Sequence, residues 1–155
     1  MAHRYVARIA WERGGASFLD NQYSRGHEWT FDGGVRVPAS SSPSVVPRHS
    51  VAAAVDPEEA LVAAASSCHM LWFLSLAVKG GFVVDRYVDD AYGVMEKDAN
   101  GRLAITRITL RPLIEFSGAR RPDAAGIAAL HEAAHAECFI ANSLKSEIVV
   151  EDAAR

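Results

Sequence analysis

DPEEALVAAASSCHMLWFLSLAVKGG, residues 56–81, is the stretch on which the fold turns. Asp56 is a good N-cap, Pro57 suits the first helical turn, and Glu59 stands three residues after the cap as in a capping box. Lys79 followed by Gly80-Gly81 marks the end. The segment predicts one helix, roughly 35 Å long at ~1.5 Å per residue. It is apolar enough to raise the question of a membrane span. Ser66, Ser67, His69 and Ser75 interrupt it, and glutamates flank its start, so a central helix packed on several sides is the better reading.

Outward from this helix, the chain reads mostly as strand. Residues 3–12, HRYVARIAWE, alternate, with Tyr5, Ala7, Ile9 and Trp11 on one face. RGGASFLDN reads as a turn and a short return, HEWTFDGG as a strand entering an Asp-Gly turn, and VRVP as its pairing partner. Residues 38–50, PASSSPSVVPRHS, form a long loop rich in proline and serine. After the helix, FVVDRYVDDAYGVMEKD and GRLAITRITLRPLIEF alternate as two strands joined by an Asn100-Gly101 hairpin signal. The phase of the second changes between Ile105 and Ile108, which predicts a bulge, and Pro112 marks an edge or a strand end. A second helix starts near Pro122-Asp123, with Ile127, Leu130, Ala134 and Cys138 along one face. Asn142 and Ser143 break it, and LKSEIVVE closes as a strand. The predicted order is ββ(β)–α–ββ–α–β, an α+β domain spanning residues 1–155.

The 155 residues suffice for one domain with a real core. Apolar residues make up 50% and charged residues 23%, a globular rather than a disordered balance. A net charge of −3 gives no electrostatic reason to expect nucleic acid or an anionic membrane as partner. MAHRYVARIAWERGG lacks the apolar run of a signal peptide, so the expected location is the cytoplasm. There a static structural disulfide is disfavoured and a transient one is permitted.

The chain has two cysteines, Cys68 and Cys138, both in apolar helical surroundings. Free cysteine is commonly a small buried hydrophobe. A zinc site needs three or four ligands, commonly with close pairs, and no C-x-x-C is present. His131, Glu132 and His135 match H-E-x-x-H formally, but two histidines in an alanine- and glutamate-rich helix produce this pattern by chance. A half-exposed, solvated position is the ordinary explanation for these histidines. A reactive pair needs a stabilised thiolate, partial access and a second cysteine within reach. Residues alone leave these readings open.

The helix start and its cysteine, "DPEEALVAAASSCHMLWFLSLAVKGG", resemble the OsmC/Ohr family of thiol peroxidases, in which an N-P-E-x-L start leads into A/S-C. "ALHEAAHAECFIANSLKSEIVVE" resembles the second family motif, a helix ending in a cysteine before a short break and the last strand. The wording points to an OsmC-like subgroup. The resemblance implies an intertwined homodimer with two long central helices wrapped by mainly antiparallel sheets. It implies organic hydroperoxides as substrates, an external thiol as reductant (lipoylated proteins serve some members), and neither cofactor nor metal. By position, Cys68 is the peroxidatic residue, Cys138 the resolving one, and Glu58 the conserved glutamate. The family's thiolate-holding arginine has two candidates, Arg25 and Arg13, of which Arg25 is favoured.

Ten residues of helix, 68 − 58 = 10, is ~15 Å of rise. Either the helix breaks between Glu58 and Cys68, or Glu58 and its arginine serve the thiol of the other subunit. Met70, Leu71, Trp72, Phe73, Phe139 and Ile140 supply apolar walls. His69 departs from the usual apolar residue beside the cysteine, as a polar pocket group or one facing the helix partner. A non-enzymatic dimeric small-ligand-binding stress protein on the same fold is the alternative.

Overall fold

The computed structural model describes residues 2–151. The strands are β1 (Ala7–Ala10), β2 (His27–Phe31), β3 (Arg36–Ala39), β4 (Val83–Asp89), β5 (Tyr92–Lys97), β6 (Leu103–Leu110), β7 (Pro112–Ser117) and β8 (Glu147–Val150). The helices are α1 (Pro57–Lys79) and α2 (Ala124–Glu137), with a 3-10 turn at Ala141–Ser143. The chain divides into two compact units, residues 1–60 and 61–155, with the boundary inside α1.

In the first unit β1, β2 and β3 form an antiparallel sheet in that order. VRVP pairs back on the HEWTF strand as expected. The first strand is shorter than its alternation: only Ala7–Ala10 pair, and RGGASFLDN makes no return strand. That segment is a loop closed by its own aromatic rings. Trp11 sits edge-on to Tyr23 at 5.3 Å, Phe18 stacks on Tyr23 at 4.8 Å, and Trp11 Nε1 donates to the Ser24 carbonyl. Ring-on-ring packing here replaces a ladder.

Helix α1 starts with a reciprocal capping box. The Glu59 backbone N–H donates to Asp56 Oδ1 at 2.7 Å, and the Asp56 N–H donates to Glu59 Oε2 at 3.2 Å. It ends where Gly81 takes a φ of 72°, a left-handed conformation that side-chain-bearing residues resist. Within the second unit, its buried residues Ala65, His69, Phe73 and Ala77 recur every four positions. Ala65 packs with Ile108 and Leu110 beneath the sheet β5-β6-β8, whereas Phe73 and Ala77 pack with Ala134 of α2 and side chains of β4 and β7. A Cβ on Gly93 of β5 would lie 2.8 Å from Val62 Cγ2, so that glycine sets how closely helix and sheet approach. By length and composition α1 is apolar enough to cross a membrane. Leu71 and Val78 on its other faces are exposed in a single chain.

The two long strands expected after α1 are four. β4 pairs with β7, and β5 pairs with β6 through the hairpin at Asp98–Arg102. One carboxylate holds both breaks: Asp89 Oδ1 accepts from the Arg111 N–H at 2.6 Å, and Oδ2 accepts from Ser66 Oγ of α1 at 2.5 Å. The bulge expected between Ile105 and Ile108 is present, with Thr106 as the extra residue opposite Val94 and Met95. A second shift, between Val84 and Arg86, explains the imperfect alternation of β4. Pro112 begins β7. β8 joins β6 in parallel, the one such pair among the named strands described.

Candidate active site

Cys68 lies mid-way along α1, one turn before Trp72. Cys138 is not inside α2 but is its C-cap, with extended backbone angles. It is 1% exposed, and Ala141 N–H donates to its Sγ at 3.4 Å. Both cysteines are free thiols, and Cys68 is the more accessible. The Cys138 thiol is pushed up from its ordinary value first by burial, then by the neighbouring Cys68 side chain; the Ala141 and Ile140 backbone works the other way. Two residues 70 positions apart in the chain, 138 − 68 = 70, are thus close enough for one thiol to shift the titration of the other.

Beside Cys68 opens a cavity of about 260 Å3 lined by Cys68, Leu71, Trp72, Ser75 and Phe139. Trp72 and Phe139 meet edge to face at 5.5 Å. Of the apolar walls expected, Leu71, Trp72 and Phe139 line this space. Phe73 is fully buried core, Ile140 packs against the Ala65 cluster, and Met70 is not among the lining residues. Ser75, absent from the expectation, lies seven residues after Cys68, two turns along the same face.

The histidines correct the expectation most. His131 is 8% exposed rather than half-solvated, and His69 is 1% exposed. His69 Nε2 lies 2.9 Å from His131 Nδ1, and the rings stack at 5.2 Å and 13°. His135, on the nominal H-E-A-A-H face, is exposed. Among the described residues no group of three His, Cys, Asp or Glu side chains is placed to hold a metal. The signal for a buried His131 was its spacing, since 131, 134 and 138 lie on one helix face.

The other two predicted site residues belong to the first unit. Arg25 is held in place: its Nη1 donates to the Tyr23 carbonyl, its Nη2 donates to Asn21 Oδ1 at 2.7 Å, and its guanidinium covers the Tyr23 ring at 3.7 Å. Asn21 presents that oxygen from a left-handed backbone, φ 64°. Arg13, the rival candidate, is exposed. Glu58 is in the first turn of α1, and its Oε2 is buried without a hydrogen-bond partner among the described residues. Arg25 and Glu58 are therefore not paired within one chain. The helix between Glu58 and Cys68 is unbroken.

Fold and site together define a mixed α+β protein with two free thiols near each other, one of them lining an apolar cavity. Residues 50–151 match the family of OsmC-like proteins, and the chain belongs to that family. It is 48% identical to an OsmC-like protein of unknown function from Vibrio cholerae, with a TM-score of 0.95 over 97% of this chain and 99% of that one. An organic hydroperoxide resistance protein from Elizabethkingia anophelis shares 14% identity and a TM-score of 0.70, covering 98% of each chain. Its counterpart from Bacillus subtilis shares 16% and 0.64, covering 96% of each. These two establish a common fold. No functionally curated protein matches the chain.

Proposed function

We propose that the protein is a thiol peroxidase that reduces organic hydroperoxides in stress defence. The observation that carries this reading is an accessible Cys68 lining an apolar cavity, with the buried Cys138 thiol near enough to be electrostatically linked to it. Cys68, the accessible member, attacks the terminal oxygen of R–O–OH as thiolate, giving Cys68 sulfenic acid and ROH once the alkoxide takes up a proton. Cys138, kept protonated by burial until it reacts, condenses with the sulfenic acid; its proton leaves with the sulfenic oxygen as water. An external dithiol then reduces the disulfide, in keeping with a reducing cytoplasm. Leu71, Trp72 and Phe139 favour an alkyl or aryl group over hydrogen peroxide. The organic hydroperoxide resistance proteins of the same fold support the substrate class.

The active form in this reading is a homodimer whose sites draw on both copies. Unbroken α1 keeps Glu58 ~15 Å of rise from Cys68 of its own chain. The buried Glu58 Oε2, unpartnered among the described residues, and the exposed apolar faces of α1 suit a second copy. There, Arg25 of one copy stabilises the Cys68 thiolate of the other, with Glu58 orienting the guanidinium.

Intact-mass measurement after one equivalent of cumene hydroperoxide tests the chemistry. The expected product has lost two hydrogens, with Cys68 and Cys138 linked. Undiminished peroxide consumption by Cys68→Ser with dithiol present overturns the reading.

A further inference from the structure

A directional contact, the His69–His131 hydrogen bond, links α1 to α2. His69 follows Cys68 directly, and His131 precedes Cys138 by two turns on the same face of α2. The other buried residues of this seam are Phe73, Ala77 and Ala134. Apolar contact is non-directional, so alanines permit one helix to slide or turn on the other. A hydrogen bond of fixed length does not.

Stability alone does not account for the pair. His69 Nδ1 is buried without a hydrogen-bond partner among the described residues, which costs free energy, and two apolar residues of similar shape would be neutral or better. Burial first, then His131 and His135, hold His69 down to about 4, so it is neutral near pH 7. A neutral ring has one N–H. Leaving a bare lone pair rather than an N–H at the orphaned Nδ1 makes Nε2–H of His69 the donor and Nδ1 of His131 the acceptor. Phe73 lies against the His131 ring at 4.5 Å and limits its rotation.

We propose that His69 and His131 are positioning residues, whose hydrogen bond locks α1 to α2 in the register that keeps Cys68 and Cys138 within disulfide reach. The inference rests on the reading of these cysteines as a redox pair. Disulfide formation tolerates Cα separations of roughly 4.4–6.8 Å, so a small slip between helices removes the resolving thiol. A sulfenic acid left unresolved takes a second equivalent of hydroperoxide, releases ROH and becomes sulfinic acid.

The test compares wild type, His69→Gln, His69→Leu and the double variant His69→Leu/His131→Leu. Glutamine replaces the Nε2 donor; the double variant removes both polar groups and keeps the volume apolar. After cumene hydroperoxide, wild type and His69→Gln are expected as disulfide. The leucine variants are expected to form it at least roughly ten-fold more slowly and to accumulate sulfinic acid, a gain of two oxygens. The double variant's melting temperature is expected at or above that of wild type, which separates register from unfolding. A double variant that forms the disulfide at the wild-type rate, or His69→Gln behaving like His69→Leu, overturns the proposal. Equilibration with oxidised and reduced dithiothreitol measures thiol proximity without peroxide. There the internal disulfide is expected to be roughly ten-fold less favoured in the double variant, and an unchanged equilibrium overturns the lock. Wild type that forms the disulfide in dithiothreitol but not with cumene hydroperoxide overturns the peroxidase reading and leaves the lock standing.

Discussion

His69 Nε2 and His131 Nδ1 meet at 2.9 Å in the seam between α1 and α2, with Cys68 beside one and Cys138 two turns beyond the other. How near the two thiols lie is thus set by the way two helices are held, since Cys68 sits on α1 and Cys138 caps the end of α2. Several measurable consequences arise from this seam and from the groups around it.

Stability should fall with acid through His69. The unfolded residue takes up its proton near 6.5, the folded one only near 4, held down by burial and by His131 and His135. Between those values the unfolded chain binds a proton that the folded chain refuses, so stability declines as pH falls and levels off below 4. From pH 7 to pH 5 this amounts to roughly 2 kcal/mol. Urea unfolding at both pH values should show that much more loss in wild type than in His69→Gln. Equal slopes would exclude a buried neutral His69.

The aromatic pair beside Cys68 should set substrate preference. Trp72→Ala or Phe139→Ala opens the edge-to-face contact and removes cavity wall. We expect kcat/KM for cumene hydroperoxide to fall about 10- to 100-fold, with hydrogen peroxide little affected. A parallel loss for both peroxides would place the rings outside the substrate site.

A site built from two copies makes a complementation experiment decisive. Glu58→Gln and Cys68→Ser homodimers should each be impaired. Unfolded together and refolded as a mixture, they form heterodimers with one intact site if Glu58 serves the partner's thiol. Recovery of about a quarter of wild-type activity is the expected result. No recovery on mixing would return Glu58 to its own chain.

Asp89 should matter more than its partial exposure implies. Its carboxylate accepts from Ser66 Oγ and from Arg111 N–H, tying the helix to both strand breaks. Asp89→Ala leaves these donors without their partner and should cost about 2 kcal/mol by thermal or urea unfolding. Asp89→Asn, which retains one acceptor oxygen, should cost less.

Much of this molecule was legible in the sequence. Capping residues, glycines and alternation are local signals, and they located α1, the Asn-Gly hairpin, the Thr106 bulge and the Asp123 start of α2. They work because helix caps and turns satisfy backbone groups within a few residues. The two motifs around Cys68 and Cys138 likewise placed the chain in its family.

Only the tertiary structure decided where long-range partners meet. Alternation runs on through residues 82–98 and 101–116 because local patterning cannot register a carboxylate like Asp89 arriving to end a ladder. H-E-A-A-H read as a half-solvated helix face, yet packing buries His131 against His69 and leaves His135 in solvent. The sequence determined that Cys68 and the three histidines at 69, 131 and 135 lie on helices and that Cys138 lies near a helix end. Which faces touch is a property of the packed core, where His69 and His131, 62 residues apart, are brought together by burial rather than by chain proximity.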